Sequence, residues 1–189
     1  MSAKDYTSEP SPLLLKHLHL FAPEAVKGPV LDLACGEGHN ALFLAGRGFP
    51  VILWDISRDA LSKARGLAKG LGVDAEFARV DLEQDGVNPL PPDTYGTILV
   101  FRYLHRPLIP CIKKGLKDGG LIFYETFTIE QPPFGKPRNP DFLLMPGELH
   151  GWFQDWEIIH SFEGILENPK RAVAQIVCRK PESVRTGYM

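Results

Sequence analysis

The stretch Val30–Ser57, VLDLACGEGHNALFLAGRGFPVILWDIS, predicts a strand, a turn, a helix and a second strand in close succession. VLDLAC is typical of a buried strand, and PVILWD of another. The glycine-containing turn between them opens HNALFLAGRG, whose apolar spacing indicates a helix that ends at Gly46 or Gly48. Strands that alternate with helices in this way form a parallel sheet covered by helices. The stretch therefore predicts an α/β fold.

The rest of the chain continues the alternation. Ser57 can cap a helix over SRDALSKARGLAKGLG, whose apolar residues share one face. Five further strands are predicted at AEFARVD, TILVF, GLIFYETF, EIIHSFEG and RAVAQIVCRK, and three further helices at EPSPLLLKHLHLFA, RPLIPCIKKGLKDG and ELHGWFQDW. At 189 residues the chain suits a single domain, with an ordered core over about residues 9–180.

Composition limits the classes of function. Lys and Arg number 21 against 23 Asp and Glu, without a basic tail, which disfavours nucleic acid as a partner. The three cysteines, Cys35, Cys111 and Cys178, are widely spaced, and the histidines have no metal spacing, so neither a disulfide framework nor a metal site is predicted. No apolar run reaches the roughly 20 residues that span a bilayer. We expect a soluble cytoplasmic protein, a monomer or a homodimer, with no membrane partner.

The glycine turn fits more than one nucleotide-like ligand. Gly36, Gly38 and Ala41 satisfy G-x-G-x-x-[GA], and Asp55 follows at the distance of a ribose-binding acid, which is compatible with a dinucleotide. Asp32, however, lies four positions before Gly36, where a carboxylate would oppose a pyrophosphate. A third acid, Asp81 in ARVDLE, ends the third predicted strand, which puts carboxylates at the carboxyl ends of three neighbouring strands. A cationic ligand such as S-adenosylmethionine, with its sulfonium and ammonium, suits this arrangement.

Several ordered motifs carry a family resemblance. LDLACGEGHN, together with LWDIS, VDLE and LKDGGLIFYETF, resembles the class I S-adenosylmethionine-dependent methyltransferases over roughly Val30 to Phe127. The D-L-x-C-G-x-G-x-N form is similar to the small tellurite-resistance and thiopurine-type branch. The resemblance implies a Rossmann-like, doubly wound, seven-stranded and mostly parallel sheet with an antiparallel closing strand and helices on both faces.

The resemblance also implies a set of cofactor-binding residues. Asp32 and the glycine turn would lie against the methionyl part, Asp55 would accept hydrogen bonds from the ribose, Ile56 would pack on adenine, and Asp81 would face the adenine amino group. The full set is Asp32, Ala34, Cys35, Gly36, Gly38, Asn40, Asp55, Ile56, Asp81, Leu82 and Phe101. The residues alone leave a structural role open for some of them: Asp32 can orient the backbone of the turn, and Leu82 can simply pack.

Candidates for the chemistry follow the fourth and fifth strands. They are Arg102, Tyr103, His105 and Glu125. Methyl transfer is an in-line displacement that depends mainly on orientation, and a general base matters only if the acceptor must lose a proton. His105, with an ordinary pKa near 6.5, can act as that base or can merely close a turn. Arg102 can hold an anionic acceptor or pair with Glu125.

Residues 128–147, TIEQPPFGKPRNPDFLLMPG, are too rich in proline and too long for an ordinary connection. We call them the flap segment. Its aromatic and cationic residues predict a flap over the acceptor, mobile without ligand, that brings Phe134 or Arg138 near Arg102, Tyr103 and Glu125. A packed surface loop or a dimer contact is the alternative.

Three functional hypotheses follow. The first is a methyltransferase on a small molecule such as a metalloid oxyanion, a thiol or a carboxylate. The second is a methyltransferase on RNA or protein, which the absence of a [DN]-P-P-[YFW] stretch after the fourth strand disfavours for nucleic-acid bases. The third, from another class, is a nicotinamide-dependent oxidoreductase or a non-catalytic nucleotide-binding module.

Overall fold

A computed structural model describes residues 9–22, 26–84 and 86–183 of the chain. The strands are β1 Val30–Leu33, β2 Val51–Asp55, β3 Glu76–Arg79, β4 Tyr95–Phe101, β5 Leu116–Phe127, β6 Glu157–Glu167 and β7 Lys170–Arg179. The α-helices are α1 Pro12–Lys16, α2 His39–Ala45, α3 Arg58–Leu71, α4 Ile109–Gly115 and α5 Glu148–Phe153, with short 3-10 helices at Leu18–Leu20, Arg106–Leu108 and Pro140–Phe142. None of the described helices combines the length and the hydropathy needed to cross a membrane.

The strands form one sheet in the order β3-β2-β1-β4-β5-β7-β6. Every neighbouring pair is parallel except those of β7, which runs antiparallel to both β5 and β6. The strand order reverses at β1, which lies between β2 and β4. Crevices of this kind, at the carboxyl ends of the strands, are where open α/β sheets bind ligands. The predicted fold is confirmed, and β1 lies at its switch point.

Both faces of the sheet are covered. On one face α1, α2 and α3 bury residues such as Leu14, Leu42 and Ala64 against Val30 and Leu53. On the other face α4 and α5 bury residues such as Ile112 and Phe153 against Leu31 and Ile98. Every residue of β1 is buried, as expected for an interior strand covered on both faces. The glycine turn that follows β1 is therefore attached to a strand that is buried along its whole length.

Local boundaries agree with the sequence at some elements and not at others. The hydroxyl of Ser57 accepts a hydrogen bond from the backbone N–H of Ala60 at 3.2 Å, which confirms the predicted cap of α3. The helix predicted through Gly119 ends at Gly115 instead, because Leu116 already pairs with β4. β3 ends at Arg79, since its partner β2 ends at Asp55 and offers no further backbone to pair with.

Candidate functional site

A cavity of about 1050 Å³ lies at the carboxyl ends of β1, β4 and β5. Ligand pockets commonly measure about 300–1,000 Å³, so this cavity is at the upper end of the range. Of the predicted cofactor-binding residues it is lined by Asp32, Ala34, Cys35, Gly36, Asn40 and Phe101. Of the predicted catalytic residues it is lined by Arg102, Tyr103 and Glu125. The structure thus joins most of both predicted sets in one cavity.

The turn after β1 presents bare backbone to the cavity. Gly36 has φ +56°, and a Cβ built there meets nothing within 4 Å, so its open side faces the cavity. Its N–H donates to Oδ2 of Asp55 at 2.8 Å, and the N–H of Cys35 donates to the carbonyl of Trp54 at 2.9 Å. These bonds to β2 hold the turn in place. A ligand can approach its main chain more closely than any side chain would permit.

Gly38 has a different role from Gly36. It begins α2 with φ +79°, and a Cβ there would lie 2.4 Å from Cδ2 of Leu53, inside the core. It does not line the cavity, because it faces β2 and α3 instead. Both glycines of the motif are therefore required, Gly36 for the ligand side and Gly38 for packing.

Asp32 is buried at the floor of the cavity, with 2% of its surface exposed. Its Oδ2 accepts a hydrogen bond from the N–H of Ala41 in α2 at 3.3 Å, so it does orient the turn, and it also lines the cavity. Burial raises the pKa of this carboxyl to about 7, against an ordinary value of 3.8, and the charge of Asp55 adds to the effect. A cationic ligand beside Asp32 would favour the ionised form and be favoured by it.

We expect Asp32→Asn to stabilise the protein at alkaline pH. Because the folded-state pKa of Asp32 lies above the unfolded one, its contribution to stability is complete below about pH 4 and is lost as pH rises through about 7. Asparagine keeps an oxygen for the Ala41 N–H but buries no charge. Urea unfolding at pH 8 should give a variant more stable by on the order of 1–3 kcal/mol, with a smaller difference at pH 5. A variant less stable at both pH values would contradict this account of Asp32.

Asp55 is placed to accept from a ligand beside the turn. Its Oδ2 accepts a hydrogen bond from the N–H of Gly36, and its Oδ1 accepts one from the N–H of Ser57, each at 2.8 Å. A carboxylate offers about four acceptor positions, so each oxygen keeps one. The neighbouring Ile56 has 53% of its surface exposed and provides an apolar platform at the same edge. These two residues lie outside the walls of the main cavity and extend the site from the turn towards β3.

The two residues predicted on the adenine side after β3 have other contacts. Asp81 lies two residues beyond β3, exposed, and its Oδ1 accepts from the N–H of Glu83 at 3.0 Å. Leu82 is buried in the core, which agrees with the alternative that it simply packs. With β3 ended at Arg79, the chain turns at Asp81, and the loop reaches the cavity wall two residues later, at Glu83, which is not among the predicted site residues.

The segment after β4 forms the opposite wall. Arg102 has φ +59°, which is uncommon for a residue other than glycine, and its N–H donates to the carbonyl of Glu125 at 2.7 Å. The hydroxyl of Tyr103 contacts Oε1 of Glu83 at 3.3 Å, and burial raises the pKa of that phenol above its ordinary value. Tyr103 is therefore a hydrogen-bond donor at neutral pH and not a base.

His105 is not among the described residues that line the cavity. It precedes the 3-10 helix Arg106–Leu108, and its carbonyl accepts from the N–H of Leu108 at 3.0 Å. The next residue, Arg106, makes two bonds with Glu148, at 2.6 and 2.9 Å. His105 thus closes the turn, the structural alternative that the sequence left open, because the 3-10 helix directs the chain away from the cavity.

Parts of the wall come from places that the motifs do not mark. Ser11 donates its N–H to Oδ1 of Asn40 at 2.7 Å, so the segment before α1 lies over the start of α2, and Glu9 and Pro12 line the cavity with it. A contact across 29 residues leaves no local pattern in the sequence. The only available signal is the proline before the first apolar run.

The flap segment has a fixed base and a tip at the cavity. Leu144 is fully buried and donates its N–H to the carbonyl of Phe127, while the side chain of Gln131 accepts from the N–H of Ala172 at 2.8 Å. From the tip, Lys136, Pro137 and Phe142 line the cavity. Two other residues were predicted there: Phe134 instead lies under the ammonium of Lys170, 5.4 Å from its ring centre, and Arg138 is not on the cavity wall.

Comparison with known proteins shows that methyltransferases are similar to this chain. Residues 30–120 match the family described as "Methyltransferase domain". A probable S-adenosyl-L-methionine-dependent methyltransferase, TehB of Haemophilus influenzae, is 26% identical over 143 residues, which are 73% of this chain and 49% of that protein. The tRNA 5-carboxymethoxyuridine methyltransferase of Escherichia coli is 24% identical over 156 residues, 69% of this chain and 60% of that protein.

A solved structure has the same fold. The crystal structure of TehB from Haemophilus influenzae superposes with a TM-score of 0.69 at 24% identity, over 88% of this chain and 61% of that one. The chain spans about half the length of the TehB proteins it matches.

Proposed function

Because this chain belongs to the class I S-adenosylmethionine-dependent methyltransferases, we propose that it transfers the methyl group of S-adenosylmethionine to a small-molecule acceptor. The observation that carries the proposal is a single cavity that joins the Gly36 turn to the wall of Arg102, Tyr103 and Glu125. At about 1050 Å³ it has room for a cofactor and a second small ligand side by side.

The residues fit the cofactor that the family implies. The open side of Gly36 is a cradle that any Cβ would begin to fill, and the buried carboxylate of Asp32 favours a cation next to it. The spare acceptor positions of Asp55 suit a ribose diol, and the exposed face of Ile56 suits a flat base. When bound, S-adenosylmethionine supplies a methyl group on a positively charged sulfur.

The chain's own contribution is orientation. Binding that aligns two reactants can account for about 7–11 kcal/mol of a barrier in favourable systems. Arg102 is held in its uncommon backbone conformation by the bond to the Glu125 carbonyl, which fixes the start of the acceptor wall. Tyr103 holds its hydroxyl proton and donates. Neither residue removes a proton from the acceptor in this account, and Glu125 is the only predicted catalytic carboxylate on the wall.

The walls around the cavity favour a small acceptor over a macromolecule. The flap segment, with Lys136 and Phe142, and the segment at Ser11 form walls of the cavity. The net charge of −2 supplies no extended attraction for a polyanion. RNA is nevertheless the acceptor named for one relative, so it is the alternative to test.

The test is methyl transfer from S-adenosylmethionine labelled in its methyl group. The protein is incubated with a small-metabolite extract, with total RNA, or with cell protein, and the label in each fraction is counted. We expect label in the metabolite fraction, and loss of it in Gly36→Val. Label confined to RNA or to protein would refute the small-molecule proposal, and no transfer to any fraction would refute the methyltransferase proposal.

We expect the flap segment to exchange amide hydrogens unevenly. Its base is held by backbone hydrogen bonds at Leu144 and Gln131, so these amides should be protected, whereas residues 135–139 at the tip should exchange rapidly. S-adenosylhomocysteine together with an acceptor should slow exchange at the tip, since Lys136 lies on the cavity wall. Strong protection of the tip in the free protein, or no response to ligands, would show that the segment is a permanently packed loop.

A further inference from the structure

A buried polar cluster holds Glu125 at the acceptor wall. Glu125 is 2% exposed and lies directly opposite Gln175 in the pairing of β5 with β7. The side-chain amide of Gln175 donates to Oε2 of Glu125 at 2.6 Å. Arg171, on the same face of β7, lies 3.6 Å from Oε1 and completes a buried ion pair. Each carboxylate oxygen of Glu125 therefore has one partner from β7.

The orientation of Gln175 is determined by its two neighbours. A carboxylate only accepts hydrogen bonds, so Gln175 must turn its NH2 group towards Glu125. Its Oε1 then faces Nε2 of His160 on β6, at 3.0 Å, and this ring nitrogen must carry a hydrogen. The three strands β5, β7 and β6 thus fix one rotamer of Glu125 from behind the cavity.

The fixed carboxylate has acceptor capacity left over. Of its about four acceptor positions one is filled by the hydrogen bond from Gln175, and Arg171, at 3.6 Å, approaches the other oxygen as an ion pair. Glu125 lines the cavity and has acceptor positions left for a ligand. Taking a charge out of water is unfavourable unless hydrogen bonds satisfy it. A ligand that fills this part of the cavity displaces water from Glu125. It must therefore donate a hydrogen bond to the carboxylate, or an acceptor position of the carboxylate is left without a donor.

Two cationic side chains also line the cavity near Glu125, but they contribute less to the selection of the acceptor. Arg102 and Lys136 are both exposed, at the mouth, whereas Glu125 lies at the buried wall. Interactions of exposed charges are screened by salt and are weak, whereas a buried charge without hydrogen-bond partners is strongly unfavourable. The buried carboxylate therefore dominates the choice of acceptor.

We infer that Glu125, positioned by Gln175 and Arg171, selects acceptors that present a hydrogen-bond donor, namely a hydroxyl or an amine, over acceptors that are purely anionic. The inference rests on the proposed function and deepens it by naming the acceptor class. Glu125 is an acceptor-binding residue, and Gln175 is a positioning residue that acts through it.

The test uses three probes of one shape, benzyl alcohol, benzylamine and benzoate, because Phe127 and Phe142 line this part of the cavity. Each is titrated by NMR into the protein saturated with S-adenosylhomocysteine. We expect the alcohol and the amine to bind at least about ten-fold more tightly than benzoate, since the latter places a like charge against Glu125. Benzoate binding as well as or better than the donors, or no binding of either donor probe, would overturn the inference.

Variants separate recognition from folding. Glu125→Gln should remove most of the preference for the donor probes, and Gln175→Leu should weaken it although Gln175 does not touch the cavity. Gln154→Leu, the same change at an exposed position, should leave it intact. If Glu125→Gln unfolds because Arg171 is left uncompensated, the double variant Glu125→Gln/Arg171→Gln removes both charges. An unchanged preference in the folded variants would refute the role of Glu125.

The cofactor serves as the internal reference for these variants. S-adenosylhomocysteine should bind to Gln175→Leu and Gln154→Leu with wild-type affinity, because neither residue is among those lining the cavity. Failure of the wild-type protein to bind S-adenosylhomocysteine would refute the proposed function. Normal binding without the donor preference would refute only the assignment of the acceptor class.

Discussion

Gly36→Val should abolish binding of S-adenosylmethionine while the sheet stays folded. Gly36 adopts φ +56°, where a β-branched residue is strained, and its open side lies on the cavity wall beside Asp32. Valine adds two methyl groups where the cofactor must approach the backbone. We expect the affinity to fall by at least about 100-fold, which corresponds to about 2.7 kcal/mol. Isothermal titration against the purified variant measures this directly.

The matched control is Gly48→Val. Gly48 also has a left-handed φ, +85°, and a Cβ there also meets nothing within 4 Å, but the residue is not among those lining the cavity. The two variants therefore carry similar backbone strain and differ in their distance from the ligand. Gly48→Val should lose some stability and keep its affinity. Wild-type affinity in folded Gly36→Val would show that the turn does not hold the cofactor.

Asp55→Ala should weaken S-adenosylmethionine binding by on the order of 2–4 kcal/mol. Two effects add: the ribose loses its acceptor, and the N–H groups of Gly36 and Ser57 lose theirs, so the turn itself is loosened. Asp55→Asn keeps one oxygen for one of these donors and should show an intermediate loss. Asp74→Ala, at an exposed site beyond α3, is the control. Unchanged affinity in folded Asp55→Ala would remove Asp55 from the site.

The fold could be read from the sequence because its signals are local. The continuous apolar run at VLDLAC corresponds to a strand buried on both faces, and Ser57 caps α3 through a hydroxyl that can reach only its own helix. Boundaries were less accurate where a neighbouring strand decides them. β3 stops at Arg79 because β2 ends at Asp55, and no pattern within AEFARVD reports the length of its partner.

The residues of the site also fall into those that a local sequence pattern predicts and those that it does not. Asp32 and Gly36 are marked by their spacing in one motif, and the structure brings both to the cavity. Ser11 contacts Asn40 only in the folded chain, so no local pattern predicts the contact. His105 is followed at once by a 3-10 helix and is not on the cavity wall. The position of Gln175 could have been interpreted from the sequence, because it is a single amide within the apolar strand AVAQIVC. A polar side chain in a strand covered on both faces must have a buried partner.

The most direct test of the central claim is calorimetric titration of the wild-type protein with S-adenosylmethionine, S-adenosylhomocysteine and NAD in parallel. The carboxylates of Asp32 and Asp55 beside the bare Gly36 turn suit a cationic ligand with a ribose diol, and they disfavour a pyrophosphate. We predict that both sulfur ligands bind at one shared site and that NAD does not bind. Binding of NAD, or no heat with either sulfur ligand, would contradict the assignment of this cavity to S-adenosylmethionine.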